Sequence, residues 1–250
     1  MFGLIYSLAS YLGFLAVFTY FAWFCDGVGV PKTVDTGLVT DLGSALVVNV
    51  GLLLVFGLQH SIMARPSFKR LLTRVVPAHL ERATFVLASS VALGLLIWQW
   101  RPLPGVLWNV QSTAAAVPLW VINALGWLGV PLVSFMIDHF DLFGVKQAFN
   151  GFRRKSFERR GFVTPLLYKY VRHPMMSALL LGLWVTPHMT IGHLCLTLGM
   201  TIYVIAGVHF EERALARELG SAYVRYQGTT PKFLPRATSP TAPPAPAATL

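Results

Sequence analysis

The sequence is poor in charged residues and in cysteine. Charged residues make up 12 % of its 250 residues and hydrophobic residues 55 %, whereas soluble proteins average roughly 25 % charged residues. The two cysteines, Cys25 and Cys195, both lie in apolar segments, so they indicate neither a disulfide framework nor a metal site. These shortages argue against a soluble domain and predict a membrane protein with several spans.

Two common kinds of site have no motif in the sequence. No Gly-x-Gly-x-x-Gly follows a strand-like run, so a nucleotide cofactor would have to bind within a helical bundle. No His-x-x-x-His or cysteine set has the spacing of metal ligands, and no metal is expected.

Acidic residues are also scarce, with 10 against 20 lysines and arginines. The resulting net charge of +10 could suggest nucleic acid. However, the cations flank the apolar segments, as topology determinants do. We therefore expect a membrane protein that binds no nucleic acid.

Long charge-free runs predict an all-α transmembrane bundle with about five to six membrane segments. Full spans are expected at 2–25, 42–62, 83–100, 118–137 and 191–210. The arm 174–186 is short, because a bilayer core needs ~20 helical residues. A cytoplasmic helix should follow over 211–225.

The distribution of cations predicts the orientation of the chain. Lys32 and Arg101 lie in connections on one side, and the other 18 of the 20 cations lie on the opposite side. The positive-inside rule then places both termini in the cytoplasm. Residues 1–236 are expected to form one domain, and residues 237–250, rich in Pro, Ala, Ser and Thr, a disordered tail.

The short arm and the last span should form a hairpin whose charged ends return to the same side. Arg172 and His173 would then lie near Glu211 and Glu212. Pro174 suits the first turn of a helix, where free N–H groups beside the two cations can hold an anion. Adjacent helical positions point about 100° apart, so one glutamate can face a ligand while the other binds Arg172 or a backbone donor. S-adenosylmethionine (SAM) carries both signs of charge and fits such a site.

These residues also carry a family resemblance. Arg172-His173-Pro174, the apolar hairpin, Glu211-Glu212 and the segments 219–226 and 230–235 resemble the C-terminal half of integral-membrane SAM-dependent methyltransferases. That superfamily includes isoprenylcysteine carboxyl methyltransferases and phospholipid methyltransferases. The usual motif of this superfamily is Arg-His-Pro-x-Tyr-x-Gly. In this chain Met176 replaces its tyrosine and Ala178 replaces its glycine.

The first half of the chain narrows the resemblance. Gln59-His60-Ser-Ile-Met-Ala-Arg65-Pro66 and the run 138–147 are similar to bacterial methanethiol S-methyltransferases, over about 51–235. The resemblance implies a bacterial inner-membrane enzyme that uses SAM to methylate methanethiol, giving dimethyl sulfide. The alternatives are another small thiol, hydrogen sulfide, or an isoprenylcysteine or lipid substrate. A small membrane transporter is the non-enzymatic alternative.

The resemblance and the hairpin together predict the site residues. The expected cofactor-binding residues are Arg172, His173, Pro174, Glu211, Glu212, Tyr168, Gln147 and Tyr223. The expected substrate residues are Gln59, His60 and Phe140. The candidate catalytic residues are His139, His60, Asp138 and Asp141.

A thiol with a pKa of ~8.5 or higher must lose its proton before it can attack a methyl group. His139 is the first candidate base, because a flanking carboxylate, Asp138 or Asp141, could orient its ring and because it should lie level with Glu211. His60 is the second candidate. In the alternative interpretation, the sulfonium alone lowers the thiol pKa, and the Asp-His-Asp group only caps a helix and anchors a loop.

Overall fold

The computed structural model describes residues 1–153, 155 and 163–236, so the predicted tail 237–250 lies outside the described residues. The described part is almost entirely helical, which confirms the all-α prediction. Its helices are α1 Phe2–Asp26, α2 Leu42–Met63, α3 Pro66–Leu72, α4 Glu81–Gln99, α5 Thr113–Ile137, α6 His139–Leu142, α7 Val145–Phe152, α8 Pro174–Trp184, α9 Ile191–Leu219 and α10 Ser221–Thr229. Its strands are β1 Val106–Asn109 and β2 His188–Thr190.

Five of these helices, α1, α2, α4, α5 and α9, are long and apolar enough to cross a membrane. This agrees with the five predicted spans. Helix α8 has 11 residues, and at about 1.5 Å per residue it is roughly half as long as a bilayer core is thick. Large apolar side chains such as Leu12, Leu125 and Ile202 are exposed on the long helices, as a lipid-facing surface requires.

The alternation of these helices defines two faces of the bundle. We call one end of the bundle the proximal face. At this end α2 ends, and α1, α4 and α8 begin. The distal face is the opposite end, where α1 ends and α2 begins. The residues of the candidate active site described below lie towards the proximal face.

Helix α8 packs chiefly against α5. A Cβ added to Gly126 would lie 2.3 Å from the backbone N of Gly182, and one added to Gly129 would lie 2.9 Å from Cβ of Ala178. Small residues thus allow the two backbones to approach closely, as in other membrane helix pairs. The short arm is supported by α5 as well as by α9, the partner expected from the hairpin.

The distal face carries a small sheet where connections were expected. Strands β1 and β2 pair antiparallel, and the Val110 N–H donates to the carbonyl of Pro187 at 2.9 Å. The sequence predicted a loop over 101–117 and a turn over 186–190. A strand of four residues forms its backbone hydrogen bonds only when the helices bring the partner strand alongside. The local sequence pattern therefore does not reveal such a strand.

The C-terminal helix also differs from the expected continuous helix over 211–225. Helix α9 ends at Leu219, and Gly220 takes a φ of 59° before α10 begins. Glycine adopts this left-handed conformation without steric cost, which makes it a common helix terminator. The break turns α10 so that Tyr223 and Tyr226 are buried, at 2 % and 6 % exposure.

Candidate active site

The structure brings together the charged residues at the two ends of the predicted hairpin. Nε of Arg172 lies 2.7 Å from Oε1 of Glu212, and Nε2 of His173 lies 3.1 Å from the same oxygen. Nδ1 of His173 lies 3.7 Å from Oε2 of Glu211. The predicted return of α9 to the start of α8 is therefore confirmed.

Glu212 is the glutamate whose carboxylate binds other side chains of the protein. Its side chain is 9 % exposed, and Nζ of Lys232 is a further partner at 3.1 Å. Arg172 also donates from Nη1 to the carbonyls of Gln227 at 2.8 Å and Thr230 at 2.5 Å. The Arg172–Glu212 pair thus joins α9 to the C-terminal segment, and two guanidinium nitrogens are engaged by protein atoms.

The C-terminal segment 230–233 closes over the start of α8. The N–H groups of Arg172 and His173 donate to the carbonyls of Pro231 and Lys232, at 2.9 and 3.1 Å. The Ser177 hydroxyl donates to the carbonyl of Phe233 at 2.7 Å. Pro174 occupies the first turn of α8, as predicted. We call this arrangement of residues 172–177 and 230–233 the C-terminal clasp.

Glu211 is the glutamate that remains accessible. Its side chain is 55 % exposed, and it interacts electrostatically with His173, Glu212 and Arg82. We call the accessible space around Glu211, next to His173 and Arg82, the Glu211 recess.

Two phenols border this recess. Burial, together with the charge of Glu211, raises the pKa of Tyr168. Burial and then the charge of Glu212 raise the pKa of Tyr223. Both phenols therefore stay protonated at neutral pH and can act as hydrogen-bond donors.

His60 lies in an aromatic pocket next to the recess. Its ring centroid is 4.7 Å from that of Phe85 and 5.9 Å from that of Tyr203. Its Nδ1 is buried and has no hydrogen-bond partner among the described residues. Arg82 is close enough to interact electrostatically with both His60 and Glu211, so it links the His60 pocket to the Glu211 recess.

Gln59 adds a second buried polar atom at the end of α2. Its Nε2 contacts Sδ of Met63 at 3.0 Å, while its Oε1 has no hydrogen-bond partner in the described part of the chain. Cζ of Arg65 lies 4.7 Å from the ring centroid of Phe210, which holds the end of α2 beside the end of α9. The predicted substrate residues Gln59 and His60 thus lie together near Glu211.

The structure places His139 in a different environment. His139 is 4 % exposed, its Nε2 lies 2.8 Å from the hydroxyl of Tyr11, and its Nδ1 lies 2.5 Å from that of Ser134. Its ring stacks on Phe135 at 3.9 Å and meets the predicted substrate residue Phe140 edge-on at 5.3 Å. Both ring nitrogens are engaged within the protein, and burial lowers the pKa of His139.

The expectation that a flanking carboxylate orients His139 is wrong. Asp138 pairs with Lys146 and, as the residue before α6, accepts from the N–H of Asp141. Asp141 in turn accepts from Nε2 of Gln147 at 2.5 Å. Both carboxylates thus bind local donors, while both ring nitrogens of His139 are engaged by the hydroxyls of Tyr11 and Ser134.

The run 138–147 nevertheless contributes to the site through Arg82. Nε of Arg82 donates to the carbonyl of Leu142 at 2.8 Å. A Cβ on Gly144 would lie 2.6 Å from the backbone N of Ala83, so only glycine allows this close approach. Leu142 and Gly144 of this run therefore support the start of α4, where Arg82 lies close to His60 and Glu211.

Sequence reasoning missed Arg82, Phe85, Tyr203 and Lys232. Arg82 resembled the other cations of its connection, and Phe85 resembled any apolar residue of a span. The sequence offered one indication that Tyr203 is a site residue, since it is the only tyrosine in the long apolar run 191–208.

Comparisons with known proteins give a family and several relatives of the chain. A family model described as "NnrU protein" matches residues 48–239. The chain is 47 % identical over 232 residues to methanethiol S-methyltransferase of Mycobacterium tuberculosis, covering 93 % of this chain and 95 % of that protein. It is 46 % identical over 233 residues to methanethiol S-methyltransferase of Pseudomonas deceptionensis, covering 93 % and 89 %.

A more distant relative is Nurim of Xenopus laevis, 30 % identical over 219 residues, which cover 81 % of this chain and 74 % of that protein. No solved structure matches the chain.

Proposed function

The chain belongs to the NnrU family, and from this premise we propose that it is a membrane methyltransferase that converts methanethiol to dimethyl sulfide with SAM as the methyl donor. Relatives named methanethiol S-methyltransferase at 47 % and 46 % identity support the reaction. The main structural support for this proposal is the Glu211 recess. It places the accessible carboxylate of Glu211 next to the pocket of His60, whose Nδ1 has no hydrogen-bond partner among the described residues.

The residues around the recess suit a ligand with both signs of charge. Glu211 can accept hydrogen bonds from an ammonium and attract a sulfonium. Arg82 and His173 lie beside it and can attract a carboxylate. The neutral phenol of Tyr168, which is partly exposed, can donate a hydrogen bond. SAM, when bound, supplies an electrophilic methyl group whose transfer to sulfur leaves a neutral thioether.

We assign removal of the thiol proton to Nδ1 of His60. Phe56, Phe85 and Tyr203 place aromatic rings at centroid distances of 5.7, 4.7 and 5.9 Å from His60. This crowded apolar environment suits a one-carbon thiol better than a long substrate. Arg82 can stabilise the thiolate, since a nearby cation favours the charged form of a thiol. A pocket with few competing waters also strengthens these electrostatic interactions.

Purified protein in detergent should form dimethyl sulfide only when both SAM and methanethiol are present. Headspace chromatography measures the product, and ethanethiol, hydrogen sulfide and a farnesylated cysteine are the comparison substrates. Because the His60 pocket is small, methanethiol should react at least about ten times faster than the farnesylated cysteine, a difference of roughly 1.4 kcal/mol in activation free energy. Preference for the farnesylated cysteine would favour the isoprenylcysteine alternative, and no methylated product from any thiol would contradict the proposal.

We further propose that the proximal face is cytoplasmic, with the protein in a bacterial inner membrane. The proposal rests on the excess of cations at this face. An alkaline phosphatase fused after Arg236 should therefore be inactive, because the enzyme is active only outside the cytoplasm. A fusion within the distal connection 27–41 is the positive control. An active fusion after Arg236 would reverse the orientation.

A further inference from the structure

A second cavity lies near the distal face, far from the Glu211 recess. Helices α1 and α5, together with Val28, line an open groove of about 590 Å³ there, a volume in the range of ligand pockets. Asp26 is the one charged residue among the described residues that line it, and Trp23, Trp120 and Trp127 contribute indole rings. We call this cavity the Asp26 groove.

The Asp26 carboxylate is held in a fixed position. Nδ2 of Asn123 donates to its Oδ1 at 3.1 Å and also to the carbonyl of Gly182 at 2.9 Å. The indole of Trp127 also lines the groove beside this carboxylate. A carboxylate has about four acceptor positions, so Asp26 can accept further hydrogen bonds from a ligand.

The groove favours a cation for two independent reasons. Asp26 carries a negative charge, and it is also the last residue of α1, where the helix dipole attracts positive charge. The faces of Trp23 and Trp120 can add cation–π attraction. No cationic side chain is among the described residues that line the groove.

The groove opens sideways towards lipid. Val28 and Leu128 on its rim are 53 % and 58 % exposed, and Ala124 between them is also exposed. Trp23 is half exposed, a typical position for tryptophan at a membrane interface. An occupant with a cationic head and apolar chains would match both the carboxylate and this rim.

We propose that the Asp26 groove binds an aminophospholipid, with its primary ammonium on Asp26 and an acyl chain along Ala124 and Leu128. The ligand would come from the membrane leaflet at the distal face. This binding site is independent of the methyltransferase proposal, since it uses no residue of the Glu211 recess.

Native mass spectrometry of the full chain in detergent can test this, with phosphatidylethanolamine, phosphatidylcholine and phosphatidylglycerol of identical acyl chains. Phosphatidylethanolamine should bind about ten times more tightly than phosphatidylglycerol, because hydrogen bonds to a charged group contribute at least that factor. Asp26→Asn should remove this preference. Asp41→Asn is the matched control, because Asp41 is exposed near the same face and asparagine caps α2 equally well.

Two further variants guard against a folding defect in Asp26→Asn. Asp26→Glu keeps the carboxylate and should keep the preference. Trp120→Leu leaves the Asp26–Asn123 contact intact and should weaken binding of phosphatidylethanolamine a few-fold. Equal retention of all three lipids would overturn the proposal, as would equal or tighter binding of phosphatidylcholine, whose headgroup cannot donate to Asp26. A Trp120→Leu protein that binds like the parent would also overturn it.

Discussion

Replacing His60 by alanine is expected to lower kcat for methanethiol about 100-fold near neutral pH, the range typical of a lost general base. The loss should shrink as the pH rises towards the thiol pKa of ~8.5 or higher, because more thiolate is then present without a base. Binding of S-adenosylhomocysteine (SAH) should change by no more than a few-fold. Turnover measured between about pH 6.5 and 9.5 checks the first two expectations, and isothermal titration with SAH checks the third.

His139→Ala is the matched comparison. Its ring nitrogens contact Tyr11 and Ser134, so its removal should lower thermal stability and leave no pH-dependent loss of turnover. A pH-independent loss in His60→Ala would instead indicate that His60 positions another group. If the pH-dependent loss appears in His139→Ala and not in His60→Ala, the assignment of the base is wrong.

Replacing Arg172 by alanine is expected to lower the free energy of unfolding by about 3–5 kcal/mol, because Glu212 then loses its closest partner in a buried ion pair. SAH binding should be lost with it, since the C-terminal clasp holds His173 and the start of α8. Thermal unfolding in detergent and isothermal titration with SAH measure the two effects. Arg217→Ala, which removes an exposed cation from the last turn of α9, is the control.

Glu211→Gln separates binding from stability. Its side chain is 55 % exposed, so the variant should unfold like the parent while SAH binding weakens about ten-fold, the lower end for a lost charge-assisted hydrogen bond. Glu218→Gln changes an exposed carboxylate on the same helix and should leave binding unchanged. Parental SAH affinity in Glu211→Gln would show that the recess does not hold the cofactor.

The division of roles between the two glutamates explains why adjacent carboxylates are useful here. Glu212 binds Arg172, His173 and Lys232. Glu211, one position earlier on the helix, points elsewhere and stays accessible. The same helix turn therefore supplies both a structural ion pair and a carboxylate available to a ligand.

The sequence by itself determined the membrane architecture. Runs without charge must be spans because an unpaired charge in the bilayer core is costly, and the observed helices begin and end close to those runs. It also predicted that Arg172 and His173 lie near Glu211 and Glu212, because an apolar hairpin must return its charged ends to the same interface. Both conclusions follow from local composition and from the thickness of a bilayer.

Only long-range packing sets which polar side chains bind other groups of the protein and which stay accessible to a ligand. The partner of His139 is Tyr11, 128 positions away, and β1 pairs with a strand about 80 positions later. Glu211 and Glu212 have the same chemistry, and they differ only in which face of α9 meets the C-terminal clasp. Such choices depend on long-range packing, which brings together donors and acceptors that no local pattern relates.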